Sequence, residues 1–161
     1  MVYVHRRSVF RSLSNEAEVY SALHAAVPHV VRVELDAMPL TVQMRMIASA
    51  SSLVAVFGQA LTWMFLLPPT IDNVGTTPRR ESQSAIIELS PKDAFWKHDY
   101  QIFAGVLGLR YHRLYGATTG CVPQPTSKVP WKNKLAAFNK WLTCNLTIDP
   151  ALVARTAAAL G

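Results

Sequence analysis

Between Arg45 and Asp72 the chain carries no charged residue, and residues 47–67 form a charge-free, mostly apolar stretch of 21 residues. A run of that length is long enough to cross a bilayer as one helix. Its interior favours a different solution. Ser49, Ser51, Ser52, Gly58, Gln59 and Thr62 dilute the run, and Gly58 divides it. Residues 53–57 are strand-sized, and the piece between Gly58 and the Pro68-Pro69 pair is helix-sized. We therefore expect a buried strand that feeds a helix through a glycine, and no membrane span. Such a turn leaves backbone N–H groups free beside the positive end of a helix dipole, which suits a phosphate. In an open α/β sheet, ligands bind at the carboxyl ends of strands, where this turn falls. A single glycine at that place also serves simply to fit helix to strand.

Similar elements flank this unit. Residues 2–5 read as a short strand, followed by Arg6, Arg7 and Arg11. A guanidinium fork matches phosphate oxygens, so arginines at a strand's carboxyl end suit a diphosphate, and equally a solvated basic loop. Ser14 or Asn15 is placed to cap a helix, and Asn15 with Glu18 has the spacing of a capping box. Val19, Ala22, Leu23 and Ala26 give that helix an apolar face, and Pro28 closes it. Residues 30–35 form a β-branched strand, 36–39 a turn, and 40–50 a helix with Leu40, Met44, Ile47 and Ala48 on one face, Gln43 and Arg45 pointing elsewhere. Residues 70–84 have no periodicity and read as an exposed loop. A buried strand at 85–89, a helix at 93–107 stopped by Gly108, and a last short strand at 109–113 complete the pattern.

Strands alternating with helices imply a parallel sheet with helices on both faces, a Rossmann-like α/β fold. We expect this domain over residues 1–113. Residues 114–161 are expected to add a connection rich in Pro, Thr, Ser and Gly and two C-terminal helices, at 132–142 and 149–160, the second with Pro150 at its first position.

A chain of 161 residues, half of them apolar, has enough material for one folded domain. Its net charge of +6 favours anionic partners. The basic residues are scattered and not interleaved with aromatics, which argues against a nucleic-acid partner. Cys121 and Cys144 have no zinc-ligand spacing and are free to form one disulfide. Asn145-Leu146-Thr147 is a glycosylation sequon, meaningful only in the secretory pathway. No targeting segment is visible, so the chain is either cytosolic or part of a longer protein.

The five histidines do not pair with cysteines or carboxylates at ligand spacing, and no Walker loop, G-x-S-x-G elbow or G-x-G-x-x-G is present. Glu88 stands out as an acid inside an apolar strand, near its carboxyl end. A buried carboxylate needs a hydrogen-bonding ligand or a cation. It is suited to hold ribose hydroxyls, or to pair with Arg6 or Arg11.

Taken in order, several short motifs resemble one family. Arg6 after the first strand, Arg11 a few residues on, and Asn15 at a helix start open the series. Leu40-Thr41-Val42-Gln43 follows, then Phe57-Gly58-Gln59-Ala60-Leu61-Thr62-Trp63-Met64-Phe65 in the place of a His-Gly-Ala-x-Leu-Thr-Asn signature. Ile87-Glu88-Leu89, Gly108-Leu109-Arg110-Tyr111 and Asn145-Leu146-Thr147-Ile148-Asp149 complete it. The set resembles the C-terminal half of glycosyltransferase family 61 proteins, which include plant xylan xylosyl- and arabinosyltransferases and protein O-GlcNAc transferases of the secretory pathway. The family histidine is Phe57 here, and its alanine is Gln59.

The resemblance implies half of a two-domain GT-B-type fold, the half that binds the donor. It implies inverting transfer of a sugar from a nucleotide sugar, UDP-linked, to a glycan or protein hydroxyl, without a required metal or other cofactor. The donor would be held by Arg6, Arg11, Gly58, Gln59, Leu61, Thr62 and Glu88. The general base and acceptor side are expected in the other half. The setting implied is the lumen of the Golgi or endoplasmic reticulum, within a longer chain. A degenerate, non-catalytic domain and an unrelated nucleotide-binding module remain as alternatives, the first favoured by Phe57.

Overall fold

The computed structural model describes residues 1–6, 11–68, 84–92, 98–119 and 144–160. Among these, the strands are β1 (Val2–Val4), β2 (Val31–Val33), β3 (Ser52–Val56), β4 (Ala85–Pro91), β5 (Arg110–Thr119) and β6 (Asn145–Thr147). The α-helices are α1 (Glu16–Ala26), α2 (Leu40–Ala48), α3 (Asp99–Val106) and α4 (Pro150–Ala158). The strands form one six-stranded sheet in the order β2-β1-β3-β4-β5-β6. The first five pair in parallel, and β6 adds to the edge antiparallel to β5. This is the mixed α/β, Rossmann-like arrangement expected from the alternating pattern.

Both faces of the sheet are covered, which is why its inner strands read as unbroken apolar runs. Tyr3, Val54, Val56, Ile87 and Leu89 face α1 and α4, where Val19, Leu23, Val153 and Ala157 meet them. Val2, Val4, Leu53, Ala55 and Ile86 face the other way, onto Ile47, Leu61, Met64 and Ala104. Helix α1 stops at Val27, which is extended because the next residue is Pro28. Helix α4 starts as expected, with Pro150 in its first turn and the Asp149 carboxylate accepting from Ala151 N at 2.9 Å. Helix α3 ends at Gly108 in the left-handed region, φ 68°. There Leu109 N–H reaches back to the Ala104 carbonyl.

The charge-free stretch is no span. It comprises the end of α2, strand β3 and a 3-10 helix, Gln59–Leu66, and no helix among the described residues is long and apolar enough to cross a membrane. The helix after Gly58 was expected to be an α-helix. It is 3-10 because Leu61, Met64 and Leu67 recur at a spacing of three, and all three are buried. That spacing matches three residues per turn, with side chains eclipsed on one face.

Other expectations are corrected. Asn15 precedes α1 but its side chain makes no cap. It donates instead to the Ile148 carbonyl at 2.8 Å and accepts from Ile148 N. Helix α2 turns Ile47 inward, with Gln43 and Met46 half-buried, and leaves Leu40, Met44 and Ala48 exposed. Apolar residues lie on nearly every side of that helix, so periodicity alone did not select the face. The strand expected to end at Arg113 runs on to Thr119. Gly116, in the stretch expected to be a connection, admits β6: a Cβ there would overlap the Thr147 carbonyl oxygen and lie 2.7 Å from Leu146 Cδ1. The loop at 70–84 except Ser84, the helix at 132–142, and Cys121 lie outside the described residues.

Candidate functional site

In strand order 2-1-3-4-5, the chain leaves β1 for β2 on one side and returns across β1 to β3 on the other. Ligands bind at this switch point, outside the carboxyl ends of the two strands. The structure has a cleft of about 310 Å³ there, at the lower end of ligand-pocket volumes. Val4, His5 and Arg6 line it from the end of β1, Ala55 and Val56 from β3, Gln59, Thr62 and Trp63 from the 3-10 helix, and Asp36 and Gln43 from the far side.

Arg6, Arg11 and Gly58 come together. An added Cβ on Gly58 would lie 3.2 Å from one terminal nitrogen of Arg6 and 3.5 Å from one of Arg11. Gly58 has φ 153° and ψ −172°, a conformation open to glycine almost alone. Gly58→Ala is expected to cost about 1–3 kcal/mol in backbone strain and to displace the Arg6 guanidinium. Denaturant unfolding read beside UDP affinity checks both.

Arg11 is itself strained, with φ 55°, a conformation that costs a non-glycine residue about 1–2 kcal/mol. It is held by the rim of β6: Arg11 N donates to the Cys144 carbonyl at 3.1 Å, Leu146 N to Ser12 O, and Ser14 N to Leu146 O. Neither Arg6 nor Arg11 has a carboxylate partner among the described residues. The nearby acid, Glu16 at the start of α1, is taken by Arg32 at 2.8 Å and His5 at 3.3 Å. The Arg11 pKa is lowered, first by burial and then by the like charge of Arg6, with Tyr100 opposing. Two guanidiniums converging over a glycine turn, with no ion-paired carboxylate among the described residues, make a site that an anion would stabilise.

The other expected residues divide. Gln59 and Thr62 border the cleft, the Thr62 hydroxyl donating to the Gln59 carbonyl at 2.6 Å. Leu61 is fully buried in the core, and its part is to seat the 3-10 helix. Phe57 is buried too, edge-on against Tyr100 with ring centres 5.5 Å apart.

Glu88 is wholly buried and does not border the cleft. Its ion pair is with Arg113, at 2.9 Å, and not with Arg6 or Arg11. Tyr111 donates to its second oxygen at 2.5 Å, and Arg113 Nε also reaches the Tyr111 hydroxyl at 3.0 Å. Strand pairing explains the choice: Glu88 and Arg113 are direct neighbours across β4 and β5. Burial raises the Glu88 pKa, with Tyr111 and Arg113 opposing. Burial, then the bond to Glu88, raises that of Tyr111.

Sequence reasoning passed over Asp36, Gln43 and Trp63 as cleft residues, and Tyr111 and Arg113 as partners of Glu88. The register of β4 against β5 depends on both strands together and has no signature in either alone. Among the described residues, no three His, Cys, Asp or Glu side chains converge as a metal site.

No curated protein matches the chain. The model of the family described as Glycosyltransferase 61 matches residues 1–74. That span carries Arg6, Arg11, Asn15, Gln43 and the Gly58 turn, and hence both strands of the switch point. Over residues 1–74, the chain is therefore similar to glycosyltransferase family 61.

Proposed function

We propose that this chain binds the nucleotide-sugar donor, UDP-linked, of an inverting glycosyltransferase that acts on a glycan or protein hydroxyl. The observation that carries the reading is the convergence of Arg6 and Arg11 on Gly58 at the β1–β3 switch point. In such a transfer the nucleoside diphosphate leaves as the acceptor hydroxyl is deprotonated. Charge builds on the diphosphate as the sugar departs. Two guanidiniums and the free N–H groups after Gly58 would meet that charge without reorganising. Gln59 and Thr62 would border the donor, and Leu61 would hold their helix in place.

The buried Glu88–Tyr111–Arg113 network would act through the frame of β4 and β5. Secretory lumen is the setting we propose, supported by Cys144, which is disulfide-bonded. The chain has one other cysteine, Cys121, and stable disulfides belong mainly to oxidising compartments. Phe57 favours a second reading, a domain that keeps the fold without catalysis. An apolar ring packed on Tyr100 supplies no hydrogen bond where the family has histidine.

Thermal unfolding with UDP, UDP-sugars, GDP-sugars and ATP tests the donor assignment. A ligand at ~100 times its dissociation constant adds about 2.7 kcal/mol and raises the melting temperature. UDP and its sugars alone are expected to do so, and Arg11→Ala is expected to abolish the shift while the variant still melts cooperatively. An unchanged UDP shift in Arg11→Ala would remove the phosphate assignment.

A further inference from the structure

The lining of the cleft combines two hydrogen-bonding roles. Arg6 supplies donors, with Arg11 beside it across Gly58. Asp36 and Gln43 supply acceptors. Asp36 lies in the short 3-10 turn Leu35–Ala37, directly after β2. Asp36 borders the cleft, and its carboxylate has no ion-pair partner among the described residues. Gln43 donates through Nε2 to the Met38 carbonyl at 2.8 Å. A carbonyl only accepts, so this bond fixes the amide and leaves Oε1, an acceptor, without a partner among the described residues. Trp63, half-buried in the 3-10 helix, contributes an aromatic surface to the same lining.

A matching ligand carries an anionic group, a flat or apolar part and a group rich in hydroxyl or N–H donors. We propose that the cleft takes the nucleoside of the donor, and that Asp36 accepts hydrogen bonds from the vicinal diol of its ribose. This rests on the donor-binding reading above and moves the diol from Glu88 to Asp36. Glu88 is wholly buried, already engaged by Tyr111 and Arg113, and apart from the cleft. Asp36 occupies the place, just beyond the second strand, from which an acid holds ribose hydroxyls in dinucleotide-binding sheets. Its exposure means that Asp36→Asn leaves the core untouched.

The test compares the affinities of pyrophosphate, UDP and 2′,3′-dideoxy-UDP for the full chain and for Asp36→Asn, by calorimetric titration. A hydrogen bond to a charged group contributes about 1.5–3 kcal/mol, so the full chain should prefer UDP over the dideoxy analogue by roughly 10- to 150-fold. Asp36→Asn should bring that ratio to within a few-fold of one and leave pyrophosphate affinity unchanged. Equal affinity for UDP and its dideoxy analogue in the full chain overturns the inference alone, as does an undiminished preference in Asp36→Asn. Failure of both pyrophosphate and UDP to bind the folded chain overturns the donor-binding reading, and this inference with it.

Discussion

Alanine at Glu88 should destabilise the domain by about 3–5 kcal/mol, the usual cost of removing one member of a buried ion pair. That is a large share of the roughly 5–15 kcal/mol that holds a domain of this kind together. The loss comes from what remains. Arg113 has a side chain only 6 % exposed, and without Glu88 its charge would sit in the sheet with tyrosine hydroxyls and no paired carboxylate among the described residues. Removing both charges, as Glu88→Gln with Arg113→Met, should recover most of the stability, because a buried pair barely repays its own desolvation. Urea unfolding of the two single variants and the double variant separates these cases.

The same carboxyl gives a pH signature. Its folded pKa is raised above the ordinary 4.5, with burial the largest cause. The folded state therefore keeps the proton to higher pH than the unfolded state does. Stability from this group is greatest below about 4.5 and falls as pH rises through the raised folded value. Glu88→Gln should flatten that decline. A slope that persists in Glu88→Gln assigns it to another group.

Alanine at Gly116 should have the second large effect, and it should reach a site that Gly116 does not touch. Its Cβ would run into the backbone of β6 at Thr147 and into Leu146 Cδ1 at 2.7 Å. Backbone cannot rotate away as a side-chain tip can, so β6 must move. Overpacking of this kind costs about 1–3 kcal/mol. The hydrogen bonds from the 11–14 segment to β6 and Cys144 would go with it, and Arg11 would relax from its left-handed conformation. UDP affinity should fall at least tenfold, although Gly116 is no part of the cleft lining. Gly105→Ala is the control. Gly105 lies in α3 with open space around its Cβ position, so alanine there should leave UDP affinity unchanged and add up to ~1 kcal/mol of helix stability. An unaltered UDP affinity in Gly116→Ala would detach β6 from the placement of Arg11.

Much of the layered sheet was legible because its determinants are local. β1, β3 and β4 announce themselves as short apolar runs, and Gly108 and Pro150 mark helix ends by their own backbone constraints. The elements misread depend on a partner distant in sequence. The stretch around Gly116 reads as a connection until β6 lies against it. Asn15 means a cap until Ile148 arrives to take both ends of its amide. The cleft followed the same division. Arg6, Arg11 and Gly58 could be named from residue type and placement at strand ends. Asp36 and Gln43 could not, because which loop faces the switch point is decided by strand order, and which side of α2 faces inward is decided by packing.

The tie between Arg11 and the strand at 145–147 changes what a sequence match can certify. The matched family span ends at residue 74, whereas the backbone that holds Arg11 in its strained conformation comes from residues 144–146. A chain can therefore carry every arginine and glycine of the early motifs and still present no anion site, if the late strand is missing or cannot dock. Inheritance of the arginine and glycine motif and inheritance of a formed anion site are separate events in this fold. The second is written some 130 residues downstream of the first, where Leu146 meets Leu13.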